Sequence, residues 1–307
     1  MELEFTGEQE ELRDSVRSFL EKECPPDVVR AVVETGEPAE KLWASMVALD
    51  WPALADHPRG WAVDEVTMRA EPAEDGWVLD GVKHGLMVGH GIDEVAVVAR
   101  VDDGLGAFVV PAAEAGLTAI HSLDSSRPLA TANFERVLVP ENRGMGEPGS
   151  AASTYAISRA VQEATLALAL ETIGTCDALF AMVLAYVKDR HQFGVPVGSF
   201  QAVKHKMANM FLALERARSL CYYAVAAINE DIPSRAAAVS MAKAASDDCQ
   251  RLVVRDSLQS FGGIGFTWEH DAQLFLKRAE TDGALFGGSA EHLLKVAGAL
   301  GVRSGEA

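Results

Sequence analysis

Apolar residues first recur at helical spacing near the start of the chain. Leu12, Val16, Phe19 and Leu20 share one face of a helix predicted over residues 6–23. Thr6 stands at its start with Gln9 three residues on, a spacing that caps a helix, and Pro25-Pro26 ends it. Leu42, Trp43, Met46, Val47 and Leu49 predict a second helix over 39–50. From Trp61 the pattern shortens to brief runs such as Val66, Met68, Trp77, Val78 and Leu79. DEVAVVARV (93–101) and AFVVP (107–111) are rich in β-branched residues and flank Asp102-Asp103-Gly104, which predicts a hairpin. RVLVP (136–140) is a further strand. Residues 61–140 therefore read as a small, mostly antiparallel β domain, and ENRGMGEPGS (141–150) as the linker leaving it.

Beyond that linker the pattern is helical almost to the end. Segments 153–189, 200–229 and 235–260 are long and rich in Ala and Leu, with shorter helices over 269–280 and 289–300. Long helices joined by short loops predict a bundle, and frequent Ala lets helices approach closely. Several are apolar on more than one side, which predicts burial against other subunits.

Composition and charge narrow the functional classes. A chain of 307 residues can bury a sizeable core. Its net charge of −18 repels nucleic acid and anionic lipid, so neither is expected as a partner. No run approaches the length of uninterrupted apolar residues that a membrane span needs. Cys24, Cys176, Cys221 and Cys249 are far apart, as expected of reduced thiols in a cytoplasmic protein, and the acidic N-terminus lacks a secretory pattern. Against this acidity, Lys188, Arg190, Lys204 and Lys206 gather with His191 and His205. A solvated helix end accounts for the cluster on composition alone, and so does a small anionic ligand.

Two glycine turns interrupt the helical half, RHQFGVPVGSFQ (190–201) and QSFGGIGFT (259–267). The second is no P-loop, because no G-K-[ST] follows, and no dinucleotide fingerprint, because a helix precedes it. By itself it reads as a helix C-cap, although glycines there also let a phosphate approach backbone N–H groups. Taken together the two turns resemble the C-terminal domain of the acyl-CoA dehydrogenase family. VLVPENRGMGEPGS resembles that family's entry into the bundle, GWVLDGVKHGLMV its G-x-x-L-x-G-x-K strand, and FGGSAEHL (286–293) falls where members carry Y-E-G-T-S-Q-I-Q. The resemblance covers most of 61–301.

The resemblance implies a mostly α fold with a small β domain: truncated N-terminal helices over 1–60, a middle antiparallel β domain over 61–145 and a four-helix bundle over 150–303. It implies that Arg190 pairs with the pyrophosphate of a neighbouring subunit's FAD, with Gln192 and Phe193 lining the ADP portion and Gln259, Gly262 and Gly263 bordering it. A guanidinium suits that task because it forks onto two oxygens. The family's reaction is α,β-dehydrogenation of an acyl-CoA thioester, in which a glutamate takes the α-proton. Here its usual position is Gly287, and the alternative position on the first bundle helix is Ala164. Glu163 is adjacent but points about 100° away, and Glu171 shares Ala164's face about 10 Å further along. Glu291 lies one turn beyond Gly287.

Other family features are absent. The N-terminal helical region is cut short between Leu49 and Trp61, no T-E-P-x-A-G-S-D loop precedes Asp64, and the flavin-stacking W-[IV]-[TS] position reads Leu86-Met87-Val88. These losses imply a non-catalytic subunit that completes the FAD site of a catalytic partner in an α2β2 assembly. They resemble the paired dehydrogenases that actinobacteria use on steroid side-chain CoA thioesters, with electron-transfer flavoprotein as the usual acceptor. Two alternatives stay open: a self-sufficient homo-oligomer with Glu163 as a displaced base, and a flavin-free scaffold.

Overall fold

The computed structural model describes residues 6–36, 66–88 and 92–302. The helix expected over 39–50, the shortened stretch between Leu49 and Trp61 and the loop before Asp64 lie outside the described residues. The chain divides into two compact units: Glu23–Ala164, and Met1–Lys22 together with Thr165–Ala307.

The first unit is built on a seven-stranded sheet. Its strands are β1 (Arg69–Ala73), β2 (Gly76–Met87), β3 (Glu94–Val101), β4 (Gly104–Pro111), β5 (Leu117–Ile120), β6 (Leu129–Pro140) and β7 (Gly144–Met145), in the order β5-β6-β2-β1-β3-β4-β7. Every pairing is antiparallel except β1 with β3. Alternation decides which face is buried: Val95, Val97, Ala99 and Val101 of β3 point into a core with Met68, Leu79, Phe108, Phe134 and Val139. The predicted hairpin joins β3 to β4 with Val101 opposite Gly104, and Asp102 takes the left-handed φ of +49° that Asp tolerates better than most residues. The expected linker does more than connect. Gly144 and Met145 pair with Phe108 and Ala107, adding an edge strand to the sheet. Pro25-Pro26 ends one helix and also starts the next, α2 (Pro26–Thr35), because Pro at the first helical position gives up an N–H that has no partner there anyway.

In the second unit, α1 (Gly7–Glu23) is capped as expected: Thr6 N–H donates to Gln9 Oε1 at 2.9 Å, and Gln9 N–H to Thr6 Oγ1 at 3.3 Å. Its apolar stripe is not buried within the chain, and Leu12 is 66% exposed. The bundle comprises α3 (Ala151–Asp189, which begins in the first unit), α4 (Gln201–Asn229), α5 (Arg235–Phe261), α6 (Ala272–Ala284) and α7 (Ser289–Ala299). Leu179 and Val183, Met210 and Leu214, and Val239 and Val253 fill its core, with Ala217, Ala224, Ala238 and Ala242 between them. Each large apolar side chain buried there contributes about 1.5–3 kcal/mol. By length and composition α3 could cross a membrane, which the sequence pattern had not suggested; half of its most apolar window is buried inside the protein. Cys176, Cys221 and Cys249 are buried free thiols, while Cys24 is half-buried. A hydrogen bond with Cys249 and burial push the Cys176 thiol well up, and burial pushes Cys221 up to about 12, so both remain protonated.

One charged pair sits inside this apolar bundle. Lys243 and Asp247 of α5 are fully buried, with Nζ 2.5 Å from Oδ1. Burial pulls the lysine down and pushes the carboxyl up, and their contact opposes both shifts. Removing one member strands the other charge. Lys243→Ala is therefore expected to cost about 3–5 kcal/mol in urea unfolding, whereas the double change Lys243→Met with Asp247→Leu recovers most of that loss.

Candidate functional site

Arg190 is the first residue beyond α3. The chain then folds into a small ribbon of β8 (His191–Gln192) and β9 (Val195–Pro196), turning through Phe193 and Gly194. The ribbon is closed by Val197 N–H donating to the Arg190 carbonyl at 2.7 Å. Phe193 adopts φ +57° and is 92% exposed, its ring meeting Phe200 edge-on at 6.2 Å between centroids. A non-glycine residue at positive φ with its aromatic ring in water is costly unless something outside the chain uses it.

The second glycine turn lies at the same end of the bundle. Tyr186, one turn before Arg190, packs on Phe261, one residue before Gly262, with centroids 5.2 Å apart. Lys206 Nζ on α4 donates to Asp256 Oδ1 on α5 at 2.9 Å, and Arg255 Nε donates to the same oxygen at 3.0 Å. Burial pushes the Asp256 carboxyl up, but those donors outweigh it and hold it below the usual carboxylate range. The pair locks the start of α4 beside the end of α5. The structure thus brings Arg190, Gln192 and Phe193 to the end of the bundle that carries Gln259, Gly262 and Gly263. Apart from partly covered Gly262, all of these face solvent in the isolated chain. Gly262 takes φ +65° and ψ −139°, a conformation that side chains resist, although a Cβ there would meet nothing within 4 Å. Among the described residues the guanidinium of Arg190 makes no ion pair, and neither do Lys188 and Lys204. The basic cluster is therefore mostly unneutralised, with only Lys206 spent on a structural partner.

The positions expected for a base lie elsewhere. Gly287 sits in the turn between α6 and α7, buried, at φ +90°, and a Cβ added there would stand 2.7 Å from Glu291 Oε2. Glu291 in turn pairs with Lys295 at 2.8 Å. Ser289 Oγ ties this turn to Asp248 Oδ1 at 3.0 Å; Asp248 is about 20 Å along α5 from Phe261. Ala164 is half-buried on α3 and Glu163 is exposed beside it. Glu171 is paired with Arg278 at 2.7 Å. Leu86 and Met87 close β2, with Leu86 in the sheet core and Val88 N–H donating to the Pro128 carbonyl at 3.0 Å. Neither expected base position carries a carboxylate of its own, and the Glu291 carboxylate lies over Gly287.

Sequence reasoning missed the buried polar groups behind this turn. His292, 3% exposed, hydrogen-bonds the Phe286 carbonyl through Nε2 at 2.8 Å, and Lys243, Asp247 and Asp282 lie buried nearby. The available signal was the i, i+4 spacing of Lys243 and Asp247 in a helix rich in Ala and Ser.

Comparison with known proteins decides what this frame is. Residues 154–301 match the model of the acyl-CoA dehydrogenase C-terminal domain. The acyl-CoA dehydrogenase IpdE2 of Mycolicibacterium smegmatis is 28% identical over 95% of this chain and 98% of its own length. The helical half of the chain belongs to the acyl-CoA dehydrogenase family. The mitochondrial short-chain specific acyl-CoA dehydrogenase of Rattus norvegicus is 29% identical over 81% of this chain, which spans 62% of that enzyme's length. The ChsE4–ChsE5 complex from Mycobacterium tuberculosis shares the fold, with a TM-score of 0.72 at 20% identity over 82% of this chain and 67% of that one. The mostly helical architecture with its β sheet is the acyl-CoA dehydrogenase fold.

Two measurements test this geometry. Gly262→Ala is expected to lose about 1–3 kcal/mol of unfolding free energy from backbone strain, while Gly263→Ala, with equal space and no such φ, stays near neutral. Burial drives the His292 pKa from 6.5 down to about 4, outweighing its hydrogen bond to Phe286. The unfolded chain therefore binds the extra proton first, and the native state loses stability as pH falls through that window. In pH-dependent chemical denaturation, the balance between wild type and His292→Gln shifts in the variant's favour by up to about 3 kcal/mol between pH 6.5 and 4.

Proposed function

We propose that this chain is one subunit of an FAD-dependent acyl-CoA dehydrogenase, and that it completes the flavin site of a catalytic partner instead of running the reaction itself. The observation that carries this reading is a division within the bundle. The end bearing Arg190 exposes an unpaired guanidinium, two amides and an aromatic ring, whereas position 287 has no side chain. The equipped end fits part of a dinucleotide. An unpaired guanidinium offers a fork to a diphosphate, the amides of Gln192 and Gln259 offer hydrogen bonds, and the open backbone at Gly262 and Gly263 leaves room for close approach. Phe193 offers a flat apolar face to the ADP portion. When bound, FAD supplies the hydride acceptor for α,β-dehydrogenation of an acyl-CoA thioester.

In this reading the partner subunit carries the glutamate that takes the α-proton and most of the acyl-CoA contacts, in an α2β2 assembly with one FAD per heterodimer. The fold shared with the ChsE4–ChsE5 complex supports a paired arrangement, and a steroid side-chain CoA thioester is the proposed substrate class. Electron-transfer flavoprotein is the proposed acceptor. The reduced, protonated thiols agree with a cytoplasmic complex.

Flavin released on denaturation, counted per chain, tests the proposal. The chain purified alone is expected to carry little flavin, and the complex with a catalytic subunit about one flavin per two chains. Arg190→Ala in that complex is expected to cut flavin content and turnover together by tenfold or more, with Arg190→Lys restoring only part. Near one flavin per chain in the isolated protein would overturn the shared site and turn attention to Glu163. Unchanged flavin content in Arg190→Ala would favour a scaffold.

A further inference from the structure

The region between α5, α6 and α7 breaks the rule that buried polar atoms find partners. Asp247, Gln250 and His292 are each at most 3% exposed. Asp247 Oδ2, Gln250 Nε2 and His292 Nδ1 nevertheless have no hydrogen-bond partner in the protein. The three residues belong to one interior. Asp247 and Gln250 lie one turn apart on α5. The amide oxygen of Gln250 backs onto Gly283 of α6, 3.1 Å from where a Cβ would stand. Ser289 at the start of α7 donates to Asp248 of α5, the neighbour of Asp247, and His292 is buried one turn after Ser289 on the same helix. Lys243 Nζ is itself 2.5 Å from Asp247 Oδ1 and 3.5 Å from the Asp282 carbonyl oxygen.

A carbonyl can only accept, so the 2.8 Å contact with Phe286 places the imidazole hydrogen on Nε2. Nδ1 of the neutral ring is then an acceptor. Asp247 Oδ2 is also an acceptor, and Gln250 Nε2 is a donor. Two acceptors and one donor are the complement of a water molecule, which donates twice and accepts at least once. A cation would face the hydrogens of the Gln250 amide, and an anion would face a carboxylate and a ring lone pair. Leaving the three atoms unsatisfied would forfeit the hydration each has in the unfolded chain.

We propose that this interior is a specific water-binding site, in which one water or a short chain of waters joins Asp247, Gln250 and His292. The bound solvent completes a network running from Lys243 to the Phe286 carbonyl. It thereby fixes the α6–α7 turn that holds Phe286 at φ +55° and Gly287 at φ +90°. The inference rests on polar accounting alone and stands whether or not the flavin reading above is correct.

The test uses the intact wild-type chain in two ways. A high-resolution crystal structure is expected to show solvent density within hydrogen-bond distance of at least two of the three atoms. Nitrogen-15 NMR of the imidazoles is expected to show His292 as the Nε2–H tautomer, with Nδ1 shifted toward the hydrogen-bonded range and a magnetisation-transfer peak to water. A dry interior, or direct bonding of Gln250 to His292 or Asp247, would overturn the proposal. So would anomalous density after a rubidium soak, because it would assign the site to a cation.

Discussion

The antiparallel contact between α4 and α5 is the constraint from which the rest of the helical unit follows. Because α4 starts where α5 stops, any loop entering the first must neighbour any loop leaving the second. The contact is close because its buried positions are mostly small, with Ala217, Ala224, Ala238 and Ala242 letting the axes approach. The Lys206–Asp256 bridge then fixes which ends are level. Two glycine-bearing reversals far apart in sequence are thereby brought to one end of the bundle.

That geometry explains why so much was readable in advance. Helix periods, alternation in β3 and the turn at Asp102-Asp103 are local signals that obey local rules, and the Thr6–Gln9 cap followed from two residues at a fixed offset. The restart at Pro26 and the edge strand at Gly144–Met145 were not legible in the same way. Proline both stops and starts helices, and a two-residue strand exists only because β4 leaves an edge open to it. The two glycine turns were legible as a pair because their spacing matches a known family, not because any one residue in them is chemically distinctive.

Buried polarity was the least legible layer. In sequence, Lys243, Asp247, Gln250 and His292 look like ordinary surface residues on amphipathic helices. They are interior because α7 is packed with its polar side inward: Ser289 and His292 are buried while Leu293 and Leu294 are exposed. Hydrophobic patterning assumes the reverse, so it located this helix but not its buried face. Such an inversion trades apolar burial for directional bonds, and directional bonds define a turn more sharply than leucines would.

The backbone at position 287 also sets what its turn can accept. Gly287 stands at φ +90° with the Glu291 carboxylate folded over it. An acidic side chain placed there would meet backbone strain of about 1–3 kcal/mol and crowd that carboxylate at once. The turn is therefore closed to single substitutions: a side chain can enter it only if the backbone and the carboxylate above it change together.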